Sequence, residues 1–244
     1  MNLNKLASQF HTADFIKDDP VQFPHLYKEK TDIEISALIS SWIAYGSRVQ
    51  IIKTLNKIHQ EFLESPTNYI KEKKYQHYQN QEQCLYRFYQ EKDFFQLCET
   101  LHTILFEENF SCLEDKIQSL VCQKPTAIEV LEAITKIFPN QKGIPQNTKS
   151  ACKRLCLFLR WMIRKNSEVD FGIWNILQEK DLIIPLDTHV FRISKQLGLT
   201  NRKQADMLSA IQITDKLKIT FPDDPLLGDY ALFGYGVKHQ EKTK

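Results

Sequence analysis

Glycine is scarce in this chain, with 7 in 244 residues. So few argue against a turn-rich β architecture, whose tight turns need residues free to take positive φ. The six cysteines stand at 84, 98, 112, 122, 152 and 156, and no two have C-x-x-C spacing. That excludes a zinc ribbon or a thioredoxin-like site. Cys152 and Cys156 lie one helical turn apart, but no nearby His or Cys completes a ligand set. The seven histidines show no metal spacing either. No metal and no cofactor is expected, and the cysteines read as reduced thiols of a cytoplasmic protein. The opening MNLNKLASQF lacks the apolar run of a signal peptide. The most apolar stretch, Ile35 to Tyr45, is interrupted by Ser36, Ser40 and Ser41, so no membrane partner is expected. An excess of one charge is missing too. Lys and Arg number 32 against 30 Asp and Glu, a net +2 that neither demands nor excludes nucleic acid.

What is present is helical periodicity. Hydrophobic residues make up 42% of the chain and recur at helical spacing in most segments. Asp32 is placed to cap a helix from Ile33 to about Ala44, with Ile35, Leu38, Ile39 and Trp42 on one face. Gly46 breaks the chain before a second helix near Val49 to Leu63. Residues 65–83 read as a loop with a weak helix, and helices follow at about 84–90, 94–107 and 126–138. The turn cluster PNQKGIPQNT, residues 139–148, is the clearest in the chain. Beyond it the pattern predicts helices at Thr148 to Lys165 and Phe171 to Leu177, then one capped by Asp187 and stopped by Gly198. Two more follow, from Lys203 to about Thr220 and from Asp224-Pro225 onward. The fold class is all-α, in two helical lobes around a cleft. The lobes span residues 1–145 and 146–244, with the alternatives that an N-terminal segment folds back onto the second lobe or that the lobes interleave as one domain.

Two features carry chemistry. On a helix over 148–165, Leu155, Phe158, Leu159, Met162 and Ile163 form an apolar face. Lys149, Lys153, Arg160 and Arg164 stack opposite, at spacings of 4, 7 and 4 residues. Four like charges in one stripe repel, which points either to an anionic partner such as phosphate or to a plain solvated face. Asp187, in IPLDTHVFRISKQLGL, sits at a helix N-cap. It is either a cap alone or a carboxylate held ionised at a positive helix end, able to stabilise a cationic sugar. His189 beside it fits a local bond to a carbonyl better than a metal.

PLDTHVFRISKQLGL resembles the segment of endonuclease III-like helix-hairpin-helix DNA glycosylases in which a DTH triplet opens a helix. DDPLLGDYALFGYGV is similar to their following helix, and ISALISSWIAYGSRVQIIKTLNKI to their early helix pair. The resemblance covers about residues 33–60 and 140–237. It implies that Asp187 is the catalytic carboxylate and that the loop Tyr45-Gly46-Ser47-Arg48 fills the hole left by a flipped base, with Tyr45 or Arg48 inserted. The stretches KRLCLFLRWMIRK, DLIIPLDTHVFRISKQLGL and DYALFGYGV resemble more closely still an uncharacterised bacterial family, domain of unknown function 2400.

The turn GIPQNTKSACKRL has one glycine where endonuclease III-like enzymes have Gly-x-Gly, and no cysteine follows Cys156 to hold their iron–sulfur cluster. The nucleophilic lysine maps to Lys153 or, one turn earlier, Lys149. Lys153 precedes Asp187 by 34 residues, a separation nearer to the archaeal 8-oxoguanine glycosylases. A lysine set among cations such as Arg154, Arg160 and Arg164 is a better nucleophile at neutral pH. The expectation is a glycosylase-like base-excision protein, with Schiff-base lyase activity on oxidised purines, and DNA as partner. The alternatives are a nucleic-acid-binding protein that keeps the fold without the chemistry, and a helical protein-interaction domain whose basic stripe is covered by a partner's acids. The aromatic stretches Tyr75 to Tyr78 and Leu85 to Phe88 fit either base stacking or half-buried packing.

Overall fold

From Asp32 to Ile43 every side chain is buried, because DIEISALISSWI is apolar on nearly every face. This is helix α2, Lys30–Ile43. In the computed structural model, which describes residues 2–240 and their side chains as far as 236, the chain divides into two compact units. One comprises Asp18–Pro125 and Glu132–Gln146; the other comprises Met1–Lys17, Thr126–Leu131 and Asn147–Lys244. Helices dominate both.

In the first of these units α2 is joined by α3, Arg48–Phe62, and α4, Pro66–Lys71. Asp32 does not cap α2 as expected. It lies inside the first turn, and its carboxylate accepts hydrogen bonds from Ser65 Oγ (3.0 Å) and Thr67 N (2.8 Å), fixing the start of α4 instead. His59 on α3 is buried between the Phe23 and Phe62 rings. The chain expected to be a helix over 84–90 is an antiparallel hairpin, β1 (Cys84–Tyr86) with β2 (Tyr89–Gln90), Tyr86 opposite Tyr89. Both tyrosines are buried, and aromatic side chains suit a pleated strand. The two-residue turn between them lacks the glycine that usually marks such a connection. Helix α5, Glu91–His102, opens with a capping box between Gln90 and Asp93, and α6, Leu113–Gln118, follows. Helix α7, Ala127–Ile137, is divided between the units after Leu131.

In the other unit α1, Leu3–Phe10, packs on α11, Leu227–Gln240, through Leu6, Ala7 and Ala231, with Phe10 set edge-on to Phe233 at 5.9 Å. Between them in sequence come α8, Lys153–Ile163, α9, Thr188–Gln196, and α10, Met207–Lys218. The short helix expected over Phe171 to Leu177 is irregular chain whose N–H groups turn back to α8: Phe171 N and Trp174 N donate to Trp161 O and Met162 O, each at 2.8 Å. Those carbonyls lie in the last turn of α8 and are left over by the helix itself. Helix α10 begins at Met207, four residues later than expected, because Asp206 caps it. Helix α11 begins at Leu227, after turn residues rather than at Pro225. Helix α9 lies so close to α11 that a Cβ on Gly236 would come within 2.2 Å of His189 Nε2. Among the described residues no helix is long and apolar enough to cross a membrane.

Candidate functional site

Helix α9 begins where Asp187 caps it, its Oδ1 accepting from Val190 N at 2.7 Å. A cap of this kind is worth about 1 kcal/mol. It also holds the carboxylate in one rotamer and leaves Oδ2 to face elsewhere. Oδ2 lies 3.6 Å from Nζ of Lys153, the first residue of α8. The two side chains are 36% and 33% exposed, so the pair is open to a ligand.

Lys153 owes its place to Cys152. That residue takes a left-handed backbone, φ +46° and ψ +34°, so the helix cannot extend back to Thr148 as its apolar period suggested. The consequence for Lys149 is direct. It sits in the preceding turn, off the helix, with its N–H on Asn147 Oδ1 (3.0 Å) and its carbonyl accepting from Met207 N (3.3 Å). Its side chain is exposed and pairs with no acid among the described residues. Of the two candidate lysines, Lys153 is the one that meets Asp187.

The expected basic stripe does not exist. Arg160 and Arg164 are 3% and 1% exposed and serve as internal ion partners rather than phosphate ligands. Arg160 donates from Nε to Asp170 Oδ1 (3.2 Å) and from Nη1 to Asp229 Oδ2 (2.6 Å). Arg164 donates from Nη1 to Asp170 Oδ2 (2.6 Å) and from Nε to Asp224 Oδ2 (2.8 Å). Tyr230 closes the group, donating to Asp170 Oδ2 (3.1 Å), with its ring centroid 4.8 Å from the Arg160 guanidinium. Two cations buried beside three carboxylates are neutralised internally, so the field they were expected to lend Lys153 is taken up by the aspartates.

Asp229 is a site residue that sequence reasoning does not find. It lies in the first turn of α11, held by Arg160. Burial pushes its carboxyl up to about 6; Arg160 pulls the other way, the Asp187 charge adds to the rise, and Lys153 opposes it. An aspartate early in the last helix, in LLGDYALF, is visible in the sequence, but nothing local shows that its charge is coupled to those of Lys153 and Asp187. His189 meets Arg192, with Nδ1 3.4 Å from Nη2, rather than a carbonyl. Among the described residues no group of His, Cys, Asp or Glu is placed to hold a metal ion.

A family model described as a protein of unknown function (DUF2400) matches residues 19–238. The chain belongs to that family. The match takes in Lys153, Asp187, Asp229 and the Tyr45 to Arg48 loop. No curated protein and no solved structure matches the chain.

The other unit of this DUF2400 protein holds Tyr45, between α2 and α3, and Arg48, the first residue of α3. Tyr45 is half-buried, with its ring edge-on to Tyr86 and Tyr89, each 5.2 Å away. Its carbonyl accepts from Tyr86 Oη. Arg48 is exposed at the start of α3. Gly46 takes φ +95° beneath Arg87, whose Nη1 a Cβ would approach to 2.6 Å. The loop and the β1–β2 hairpin are therefore packed as one piece, although some 40 residues of sequence separate them. Of the aromatic stretches, Tyr75, Tyr78 and Tyr86 are buried, while Phe88 is not.

Proposed function

We propose that this protein is a base-excision DNA glycosylase of the helix-hairpin-helix kind, with Schiff-base lyase activity on oxidised purines. The observation that carries the reading is the 3.6 Å approach of Lys153 Nζ to Asp187 Oδ2. An amine and a carboxylate at this distance are the two groups such a reaction needs. The Lys153 ammonium first loses a proton to solvent, so that Asp187 stays a carboxylate. The free amine attacks C1′ of the damaged nucleotide as the bond from C1′ to the base breaks, the electron pair leaving with the base. Asp187 faces the positive charge that builds on the sugar. The sugar ring then opens by cleavage of the C1′–O4′ bond; the departed base and O4′ each take up one of the two protons left on Nζ, and a neutral imine joins Nζ to C1′. Asp229, whose carboxyl feels the charges of both Asp187 and Lys153, changes the local charge as it titrates.

The test is borohydride trapping of the full chain on duplexes carrying single lesions, 8-oxoguanine among them. A covalent adduct is expected, absent from the Lys153→Gln variant. No adduct and no released base across the panel would overturn the reading. A second reading, a nucleic-acid-binding protein without chemistry, is favoured by the turn after Ile137, where Gly143 is the lone glycine. It predicts DNA binding with neither adduct nor base release.

A further inference from the structure

The turn of the hairpin, Arg87 and Phe88, is built against the usual economy of such turns. Arg87 takes φ +51°, a position at which a two-residue connection ordinarily has glycine. A non-glycine residue in the left-handed region is uncommon, and Arg87 is one of eight among the described residues. Phe88 beside it is 69% exposed, although the chain has a core in which to place phenylalanine. A single exposed apolar residue is ordinary on a protein surface. Here it is one part of a set.

The Arg87 guanidinium lies 5.4 Å from the Tyr45 ring centroid and 5.7 Å from that of Phe88, so it is packed between the two rings. It forms no ion pair among the described residues. Two acids of the hairpin's flanks are already engaged: Glu82 with Lys92 Nζ (2.6 Å), and Asp93 with Gln90 N (2.7 Å) and Lys142 Nζ (3.4 Å). Arg48, at the start of α3 just after the loop that packs on the hairpin, is exposed. Beneath the tip, Tyr89 stacks on Trp42 at 4.2 Å with the rings 8° from parallel, a rigid mount. An exposed phenyl ring on a stiff base, beside an arginine, suits bases that have a free face and a phosphate chain alongside.

We propose that the Arg87–Phe88 turn is a base-stacking wedge, with Phe88 inserting against an unstacked base of a nucleic-acid strand and Arg87 and Arg48 meeting its phosphates. The inference rests on the reading above in one respect only, that the partner is nucleic acid. Lysine chemistry is not needed for it.

The test uses the full chain with a single strand, an intact duplex and a duplex containing one abasic site. Phe88→Trp gives a reporter, because Trp42, Trp161 and Trp174 are all buried. Its emission is expected to be quenched by the abasic duplex and the single strand more than by the intact duplex. Phe88→Ala is expected to weaken binding of the first two about 5- to 100-fold, as loss of one stacked base does. Phe88→Leu, apolar but unable to stack, is expected to weaken it similarly. Arg87→Ala is expected to lower the salt slope by about one. All three should melt with the parent, since the tip is exposed. If the parent binds DNA and Phe88→Ala binds as tightly, the wedge is wrong and the glycosylase reading stands. Weakened binding without any borohydride adduct keeps the wedge and removes the glycosylase. If no oligonucleotide is bound, or a captured protein rather than DNA quenches the reporter, the wedge is wrong whatever becomes of the chemistry.

Discussion

Arg160, in the second half of α8, donates to Asp229 in the first turn of α11 at 2.6 Å, while its Nε holds Asp170 at 3.2 Å. One guanidinium thus ties the helix that carries Lys153 to the helix that brings Asp229 near it. The acids that cover Arg160 and Arg164 come from the same chain. The protein-interaction alternative required them to come from a partner.

Replacing Arg160 with Ala is therefore expected to leave Asp170 and Asp229 buried without their cation and to destabilise the protein by about 3–5 kcal/mol. Arg164→Ala is expected to act alike through Asp170 and Asp224. Chemical denaturation checks both. A loss under about 1 kcal/mol, the range of solvent-exposed pairs, would mean that the two arginines are exposed after all.

On the proposed reading, phosphate contacts then fall to cations that reach solvent. Lys149→Ala and Arg48→Ala are expected to leave the melting temperature unchanged and to weaken DNA binding alike on every sequence. The salt slope should fall by about one for each phosphate no longer neutralised. Filter binding between low and moderate salt measures it. A slope equal to the parent's in both variants would leave these residues off the DNA path.

How much of this was legible depends on whether the cause was local. Asp187 was readable as a cap because Pro185, the aspartate and an amphipathic run lie within a few residues. The apolar period of α8 was readable for the same reason. Its start was not: a wheel cannot show that Cys152 goes left-handed, and so it placed Lys149 on the helix. The wheel also put Arg160 and Arg164 on a solvent face, since their partners at 170, 224 and 229 lie 6 to 69 residues away in sequence. The hairpin was hidden by its turn, in which arginine stands where a glycine would have announced it.

His59 should make the protein acid-sensitive. Its Nδ1 donates to Leu55 O (2.9 Å), which leaves Nε2 to accept from Ser36 Oγ (2.8 Å), the pattern of a neutral ring. Burial holds its pKa down, to about 4, against 6.5 when unfolded. A depressed base stabilises the fold above the unfolded pKa, and that stability is lost as pH falls from 6.5 toward 4. The loss amounts to about 3 kcal/mol. Melting curves of the parent should decline across this window, and those of His59→Gln should decline less.

Asp229 titrates in the opposite sense. Its carboxyl is raised from 3.8 to about 6, so its contribution to stability is full below 3.8 and is lost as pH climbs to about 6. Relative to Asp229→Asn, the parent should lose stability over that range. The same ionisation places a negative charge near Lys153 and Asp187, where a cationic sugar would form. Single-turnover base release is therefore expected to rise through about pH 6 in the parent and to lack that limb in Asp229→Asn. A limb that persists in the variant would assign it to another group.

Asp187→Asn separates the cap from the carboxylate. Asparagine caps a helix about as well as aspartate, so Val190 N keeps its acceptor. The ion pair with Lys153 is lost, but a pair about one-third exposed contributes no more than about 1 kcal/mol. The variant should therefore fold and bind a lesion duplex much as the parent does. What it lacks is the negative charge opposite the sugar, and loss of one such electrostatic partner slows base release by about 100-fold or more. Lys153→Gln should fold equally well and leave no borohydride adduct. The two variants differ in what survives: Asp187→Asn retains a slow adduct-forming reaction because the amine remains, whereas Lys153→Gln retains none. Should Asp187→Asn instead melt far below the parent, with activity falling only in proportion to the folded fraction, Asp187 would be a cap and nothing more, and Lys153 would have lost its reason to be there.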